Sequence, residues 1–79
     1  HDIKIYSASE KANALYTQIN ASEPLMLVMG SEESGVSPTM LKMSDELVKI
    51  PMKGEIESLN VSAAASILLF EVVRQRLGI

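Results

Sequence analysis

The sequence predicts an α/β domain built on a parallel β-sheet. Segments with the composition and two-residue periodicity of strands alternate along the chain with segments of helical periodicity. Residues 25–29 are apolar at every position, which is typical of a strand buried on both faces, as in a parallel sheet. Alternating strands and helices favour parallel crossover connections. At 79 residues, the chain has the length of one small domain or of a part of one.

The first strand is predicted over residues 2–7, where two isoleucines flank a lysine. Ser7, followed three residues later by Glu10, has the pattern of a helix capping box. We expect a helix over about residues 9–19, because apolar side chains recur there at helical spacing. Asn20 is the expected left-handed stop of that helix.

The second strand is predicted over residues 25–29, and a loop rich in glycine and serine follows it over 30–37. Ser37 and Pro38 predict the start of a second helix, because serine is a good N-cap and proline suits the first helical position. A third strand is predicted over residues 47–50, since a proline stops it.

The longest helix is predicted over residues 61–77, with apolar residues around most of its circumference. A helix of that kind must be covered on two sides. The sheet can cover one side. We expect the other side to contact a partner subunit or a further part of the same domain.

Composition excludes several classes of protein. The chain is 47% hydrophobic and 22% charged, which is too apolar for intrinsic disorder. It has no cysteine, so neither a disulfide framework nor a cysteine-rich zinc site is possible. A net charge of −3 argues against a stand-alone nucleic-acid-binding module. No apolar run approaches the roughly 20 residues that span a bilayer.

The start of the chain carries no signal of export. The first ten residues lack the basic end and apolar block of a signal peptide. We expect a cytoplasmic location. The chain begins with His1 instead of methionine. We therefore expect it to be the C-terminal part of a longer protein.

Two loops follow predicted strands, and ligands bind at the carboxyl ends of strands in open α/β sheets. In the first loop, two glycines bracket Glu32 and Glu33, straight after the second strand. Glycine lets a backbone approach a ligand closely, and a fixed carboxylate can accept hydrogen bonds from hydroxyl or amine donors. Spacing alone leaves equally open a plain connection with solvated acids.

The second loop contains a proline and a glycine and leads into the longest helix. Ser58, Asn60 and Ser62 lie at the start of that helix. Any one of them can be a simple helix cap. Three small polar residues at alternating positions exceed what one cap needs, and the N–H groups of a helix start can also hold a ligand.

Together these loops resemble motifs 2 and 3 of the SpoU (TrmH-like) branch of the SPOUT methyltransferases. The match covers the chain from about residue 25 to its end, and both motifs occur in the right order and separation. The matching residues are Gly30-Ser31-Glu32 with Gly35, Ile50-Pro51-Met52 with Gly54, and Ser58-Leu59-Asn60-Val61-Ser62 with Ala64.

The resemblance implies an enzyme that transfers a methyl group from S-adenosylmethionine to a ribose 2′-hydroxyl of rRNA or tRNA. It implies an α/β SPOUT domain whose C-terminal part forms a deep trefoil knot that holds the cofactor. It also implies a homodimer in which the helix over residues 61–77 packs across the subunit interface. No metal is implied.

The resemblance also assigns site residues by position. Glu32, Ser58 and Asn60 are the expected catalytic residues. The expected cofactor-binding residues lie in both motifs and are Met29, Gly30, Ser31, Ile50, Met52, Gly54, Ser58, Leu59, Asn60 and Ser62.

One family feature is missing from the chain. Motif 1 contains an asparagine and an arginine thought to activate the 2′-hydroxyl, and nothing between His1 and Glu23 matches it. The only arginines are Arg74 and Arg76. We interpret this as truncation, and expect the segment to be inactive alone. Two alternatives stay open, namely a non-catalytic remnant that dimerises and, less well supported, an unrelated nucleotide-binding domain.

Overall fold

The computed structural model describes residues 2–31, 34–52 and 60–79. It contains four strands, one turn of 3-10 helix and two α-helices. In chain order these are β1 (Lys4–Ala8), β2 (Ala14–Leu15), the 3-10 turn (Tyr16–Gln18), β3 (Leu25–Val28), α1 (Pro38–Met43), β4 (Glu46–Lys49) and α2 (Val61–Leu77).

The four strands form one parallel sheet in the order β2-β4-β1-β3. Ser7 of β1 lies opposite Val28 of β3 on one side and opposite Leu47 of β4 on the other. All three strand pairings are parallel, so the predicted parallel α/β sheet is confirmed. The carboxyl ends of the strands therefore point to the same edge of the sheet.

The core lies between this sheet and α2. Its buried apolar residues are Tyr6, Ile19, Ala21, Val48, Leu68 and Val72. The Tyr6 hydroxyl accepts a hydrogen bond from the Asn20 backbone N–H at 3.0 Å, so its polar end is satisfied inside the core. Ser7 is fully buried, and its hydroxyl hydrogen-bonds the hydroxyl of Ser44, which donates to the Met40 carbonyl at 2.7 Å.

The helix predicted over residues 9–19 is wrong. The chain instead makes a turn, in which the Ser9 hydroxyl accepts from the Lys11 N–H, and then forms β2 and the 3-10 turn. Strand β2 pairs with β4 in the sheet. This pairing satisfies backbone groups that a helix would have paired internally, so the helical periodicity of the sequence is not needed to satisfy them. The capping box fails for the same reason, since Ser7 is buried within β1.

The left-handed stop predicted at Asn20 is also wrong. Within the described residues, only glycines have positive φ. The Asn20 side chain instead forms a local turn, in which its Oδ1 accepts from the Ser22 N–H at 3.0 Å.

The predicted second and third strands and both later helices are confirmed, with small shifts of strand bounds. Ser37 caps α1 by accepting from the Met40 N–H at 3.2 Å. Gly78, with φ 73°, ends α2 in the left-handed conformation that a C-terminal glycine allows. β3 is less buried than predicted, because it lies at the sheet edge and Met26 is 46% exposed.

Helix α2 buries one face and exposes the other. Leu68 and Val72 are buried against the sheet, whereas Leu69, Phe70 and Leu77 are 57%, 60% and 66% exposed. The apolar surface expected to need a second partner is therefore present. None of the helices formed by the described residues has the length and apolar character needed to cross a bilayer.

The C-terminal end of α2 is fastened to the segment before β3. Glu71 is buried and accepts hydrogen bonds from Arg74 and from the Gln75 amide. Gln75 Oε1 accepts from the Ala21 N–H at 3.0 Å, and Arg76 Nε donates to the Ala21 carbonyl at 2.9 Å. Both arginines are thus occupied in holding the helix in place.

Candidate functional site

A cavity of about 390 Å³ opens at the carboxyl edge of the sheet. Five stretches of chain contribute to its wall: the turn after β1, the loop after β3, helix α1, the end of β4 and the start of α2. The lining residues are Ala8, Ser9, Glu10, Lys11, Met29, Gly30, Ser31, Ser34, Gly35, Val36, Leu41, Lys49, Ile50, Met52, Val61 and Ala64.

The two glycines of the loop after β3 have different physical roles. A β-carbon on Gly30 would overlap the backbone of Gly35 and Val36, so the loop closes only if residue 30 has no side chain. Gly35 has φ +70° and open space around it, so its requirement is conformational. This explains why two glycines bracket the pair of acids in the sequence.

Hydrogen bonds hold this loop closed. The Gly35 N–H donates to the Ser31 carbonyl at 2.9 Å, and the Ser31 N–H donates to the Gly35 carbonyl at 3.3 Å. The Ser31 hydroxyl accepts from the Ser34 N–H at 3.0 Å and lies 2.8 Å from the Ser34 hydroxyl. The loop therefore presents Met29, Gly30 and Ser31, three of the predicted cofactor-binding residues, to the cavity on a braced backbone.

The second motif reaches the same cavity from the other side. Ile50 and Met52 line it after β4, and Val61 and Ala64 line it from the first turns of α2. Ser62 and Asn60 are not among the lining residues. Asn60 is the N-cap of α2, where its Oδ1 accepts from the Ala63 N–H at 2.8 Å.

This cap accounts for the carbonyl oxygen of the Asn60 side chain and does not use its amide nitrogen. The catalytic assignment of Asn60 and the cofactor assignments of Asn60 and Ser62 stay predictions. Glu32, Gly54, Ser58 and Leu59 lie outside the described residues, so their assigned roles also stay predictions.

The turn after β1 contributes residues that the sequence analysis did not assign to the site. Ser9, Glu10 and Lys11 line the cavity, and the Ser9 N–H donates to the Val48 carbonyl at 2.9 Å. The available signal was their position directly after a predicted parallel strand, where ligands bind in this class of sheet. The incorrect helix over residues 9–19 concealed it.

The two arginines are remote from the cavity. They lie in the last turns of α2, a helix of 17 residues, whose length is about 25 Å at about 1.5 Å per residue. The cavity contacts the first turns of the same helix. Neither Arg74 nor Arg76 can therefore replace the motif 1 arginine within this chain.

Comparison with known proteins shows which family the chain resembles. The model of the SpoU rRNA Methylase family matches residues 1–70. The chain is 42% identical over 78 residues to the 23S rRNA (guanosine-2′-O-)-methyltransferase RlmB of Haemophilus influenzae, and 46% identical over 74 residues to that of Xanthomonas axonopodis pv. citri. These matches cover 99% and 94% of the chain but 32% and 30% of the relatives, so the chain spans about a third of their length.

Solved structures agree with this similarity. The SpoU methyltransferase AviRb from Streptomyces viridochromogenes, in complex with the cofactor AdoMet, superimposes with a TM-score of 0.89 at 33% identity over 95% of this chain and 28% of its own. An RNA 2′-O ribose methyltransferase superimposes with a TM-score of 0.90 at 38% identity over 98% of this chain and 30% of its own.

Proposed function

The chain belongs to the SpoU rRNA Methylase family, and on that basis we propose that it is part of an enzyme that methylates a ribose 2′-hydroxyl of rRNA or tRNA. The proposed methyl donor is S-adenosylmethionine. The observation that carries the proposal is the convergence of both motif loops on one cavity, to which Gly30 and Ser31 contribute from one side and Ile50 and Met52 from the other.

The cavity suits a ligand of this kind. Its volume of about 390 Å³ lies within the range of roughly 300–1,000 Å³ that small-molecule sites occupy. Met29, Ile50 and Met52 offer apolar surface to the base of the cofactor, while Gly30 and Gly35 contribute backbone to the cavity wall. When bound, S-adenosylmethionine supplies the methyl group.

The residues of this chain would act mainly by positioning. A ribose hydroxyl is a weak nucleophile, and good alignment of reacting atoms can lower a barrier by several kcal/mol. In this proposal the braced loop of Gly30 and Ser31 fixes one wall of the site. Glu32, Ser58 and Asn60 act at the catalytic centre, as the family resemblance implies, and the motif 1 arginine comes from outside this segment.

We further propose that the enzyme is a homodimer formed through α2. Leu69, Phe70, Val73 and Leu77 form an exposed apolar face on the side opposite the core. A partner helix on that face would remove this apolar surface from water. Because the proposed substrates are rRNA and tRNA, the proposed location is the cytoplasm.

Calorimetric titration of S-adenosylhomocysteine into the full natural protein tests the cofactor site. We expect saturable binding, and Gly30→Ala should weaken it by roughly tenfold or more, since closing the loop over a new β-carbon costs on the order of 1–3 kcal/mol. The matched control is Gly78→Ala, which strains the end of α2 far from the cavity and should leave the affinity unchanged. Replacing Gly54, in the second motif, with a bulky residue should also abolish binding of S-adenosylhomocysteine.

A non-catalytic module that dimerises is the second candidate. Its only support is that no part of this chain matches motif 1. A folded protein that does not bind S-adenosylhomocysteine would support this candidate over the enzyme. Methyl transfer that continues unchanged in both Glu32→Ala and Asn60→Ala would contradict the catalytic assignments.

A further inference from the structure

We propose that Lys11 and Lys49 form a pair of phosphate contacts at the cavity, which hold the RNA backbone beside the ribose to be methylated. The inference rests on the proposed function and adds to it the residues that receive the substrate. It assigns a role to the turn after β1, which neither family motif includes.

The sheet brings the two lysines to the same edge. β1 and β4 are neighbours, with Ala8 opposite Val48, and Lys49 is the last residue of β4. The Ser9 N–H bonds the Val48 carbonyl at 2.9 Å, so the turn that carries Lys11 starts beside the end of β4. Both lysines line the cavity.

Both lysines are carried by well-supported backbone. The Lys11 N–H donates to the Ser9 hydroxyl at 3.2 Å, and the neighbouring Ala12 is 4% exposed, which anchors the turn to the body of the protein. Lys49 belongs to a strand paired on both sides, and it is half-buried. An ammonium group on a fixed backbone loses less freedom on binding than one on a mobile segment.

Three other cations of the chain are already used within the fold. Lys4 Nζ lies 3.1 Å from Glu46 Oε2, Arg74 pairs with Glu71, and Arg76 donates to the Ala21 carbonyl. Within residues 2–31, 34–52 and 60–79, no carboxylate lies at ion-pairing distance from Lys11 or Lys49. Their charges are thus available at the cavity.

The charge balance favours RNA over the cofactor as the partner of these lysines. S-adenosylmethionine carries a sulfonium, an ammonium and a carboxylate, so its net charge is positive. Among the described lining residues, two lysines face one glutamate, Glu10. Lysine ammonium groups attract the phosphates of RNA and gain nothing from the net positive charge of the cofactor. The chain as a whole carries −3, so an approaching polyanion needs a local positive region.

The test measures RNA affinity across a salt series. The full natural protein, the double variant Lys11→Ala/Lys49→Ala and the control Lys42→Ala are titrated into a fluorescently labelled single-stranded RNA of mixed sequence. Lys42 is an exposed lysine of α1 that does not line the cavity. S-adenosylhomocysteine is titrated into each protein in parallel.

We expect the double variant to lose roughly two- to fivefold in RNA affinity for each lysine. Two lost phosphate contacts should reduce the slope of log affinity against log salt by about 1.4, at about 0.7 per contact. The double arginine variant, which keeps both charges, should bind RNA like the wild type. Affinity for S-adenosylhomocysteine should fall by a much smaller factor than RNA affinity in the double alanine variant, and should be unchanged in Lys42→Ala.

Unchanged RNA affinity and salt slope in the double alanine variant would overturn the inference. So would an equal loss in Lys42→Ala, or a loss of cofactor affinity without a loss of RNA affinity. A wild type that binds S-adenosylhomocysteine but not RNA overturns the lysine assignment and leaves the cofactor site intact. A folded wild type that does not bind S-adenosylhomocysteine instead rejects the proposed function, and the RNA titrations still decide the role of the lysines.

Discussion

Glu71 combines burial with charge. Its side chain is almost fully enclosed at 4% residue exposure, yet its pKa is lowered to about 2, mainly by hydrogen bonds from Arg74. Burial opposes this lowering, to which the Gln75 amide and the charge of Arg74 also contribute. A buried carboxylate is stable only with such partners.

This pairing predicts a pH-dependent stability. Because the pKa is lower in the folded state than the ordinary value of 4.5, the stabilisation is complete above that value and is lost as the pH falls toward 2. We expect the free energy of unfolding to fall by on the order of 1–3 kcal/mol over this window, measured by urea denaturation.

Glu71→Gln should lower the stability at neutral pH and remove most of this pH dependence. The matched control is Glu46→Gln, whose partner Lys4 and own side chain are 42% and 46% exposed, and it should change little. Parallel pH curves for Glu71→Gln and the wild type would contradict the role given to this carboxylate.

Individual residues were predictable from sequence where their role is local. The glycines of the first loop were expected to let the backbone approach a ligand closely, whereas Gly30 lets two parts of the loop's own backbone approach each other. Ser7 was expected to cap a helix and instead lies buried against Ser44. That contact joins residues 37 positions apart, which no local pattern contains.

Among the secondary-structure elements, α1 and α2 were predicted correctly from their end signals, whereas the equally local end signals around residues 9–19 were misleading. Ser37 and Pro38 start α1, while Asn60 and Gly78 delimit α2, and each signal acts within a few residues. The segment over residues 9–19 failed because its pairing partner, β4, lies much later in the chain. Its helical spacing remains visible in the burial of Ala12 and Ile19.

The cap of α2 gives a test that separates structure from catalysis at Asn60. Asn60→Ala removes the hydrogen bond to the Ala63 N–H and should cost about 1 kcal/mol of unfolding free energy. Asn60→Ser keeps an oxygen acceptor and should restore the stability, as thermal denaturation can show.

Methyl transfer by the full natural protein then decides the second role of Asn60. If the amide nitrogen acts at the catalytic centre, Asn60→Ser should be stable but slow. A stable and fully active Asn60→Ser would limit this residue to capping.

For the molecule as a whole, the exposed face of α2 predicts self-association. Phe70→Glu places a charge where the proposed homodimer would bury an aromatic ring, and it should shift the full natural protein from dimer to monomer in sedimentation equilibrium. Met43→Glu is the control, since Met43 is similarly exposed, at 58%, but lies on α1. A dimer that survives Phe70→Glu would contradict an interface through this face.

The parallel architecture was predictable, because it follows from alternating elements and apolar strands. The strand order β2-β4-β1-β3 was not, since it depends on which distant segments meet. Only part of the cavity lining was predictable, because the rest also depends on which distant segments meet. Its two motif loops carry recognisable residues, whereas Lys11 and Lys49 join them through the neighbouring positions of β1 and β4.

The strand order also constrains how the chain can assemble during synthesis. Within this segment, β1 precedes both of its neighbours in the sheet, β3 and β4. The Ile5 N–H of β1 bonds the side chain of Asp45, which is 40 residues downstream. Strand β2 pairs with β4, which lies between β2 and β1, so β2 can join the sheet only after β4. Pairings over such distances close slowly, because the loop entropy is lost before the contacts form. The strand pairings of this segment can therefore be completed only after β4 has been translated.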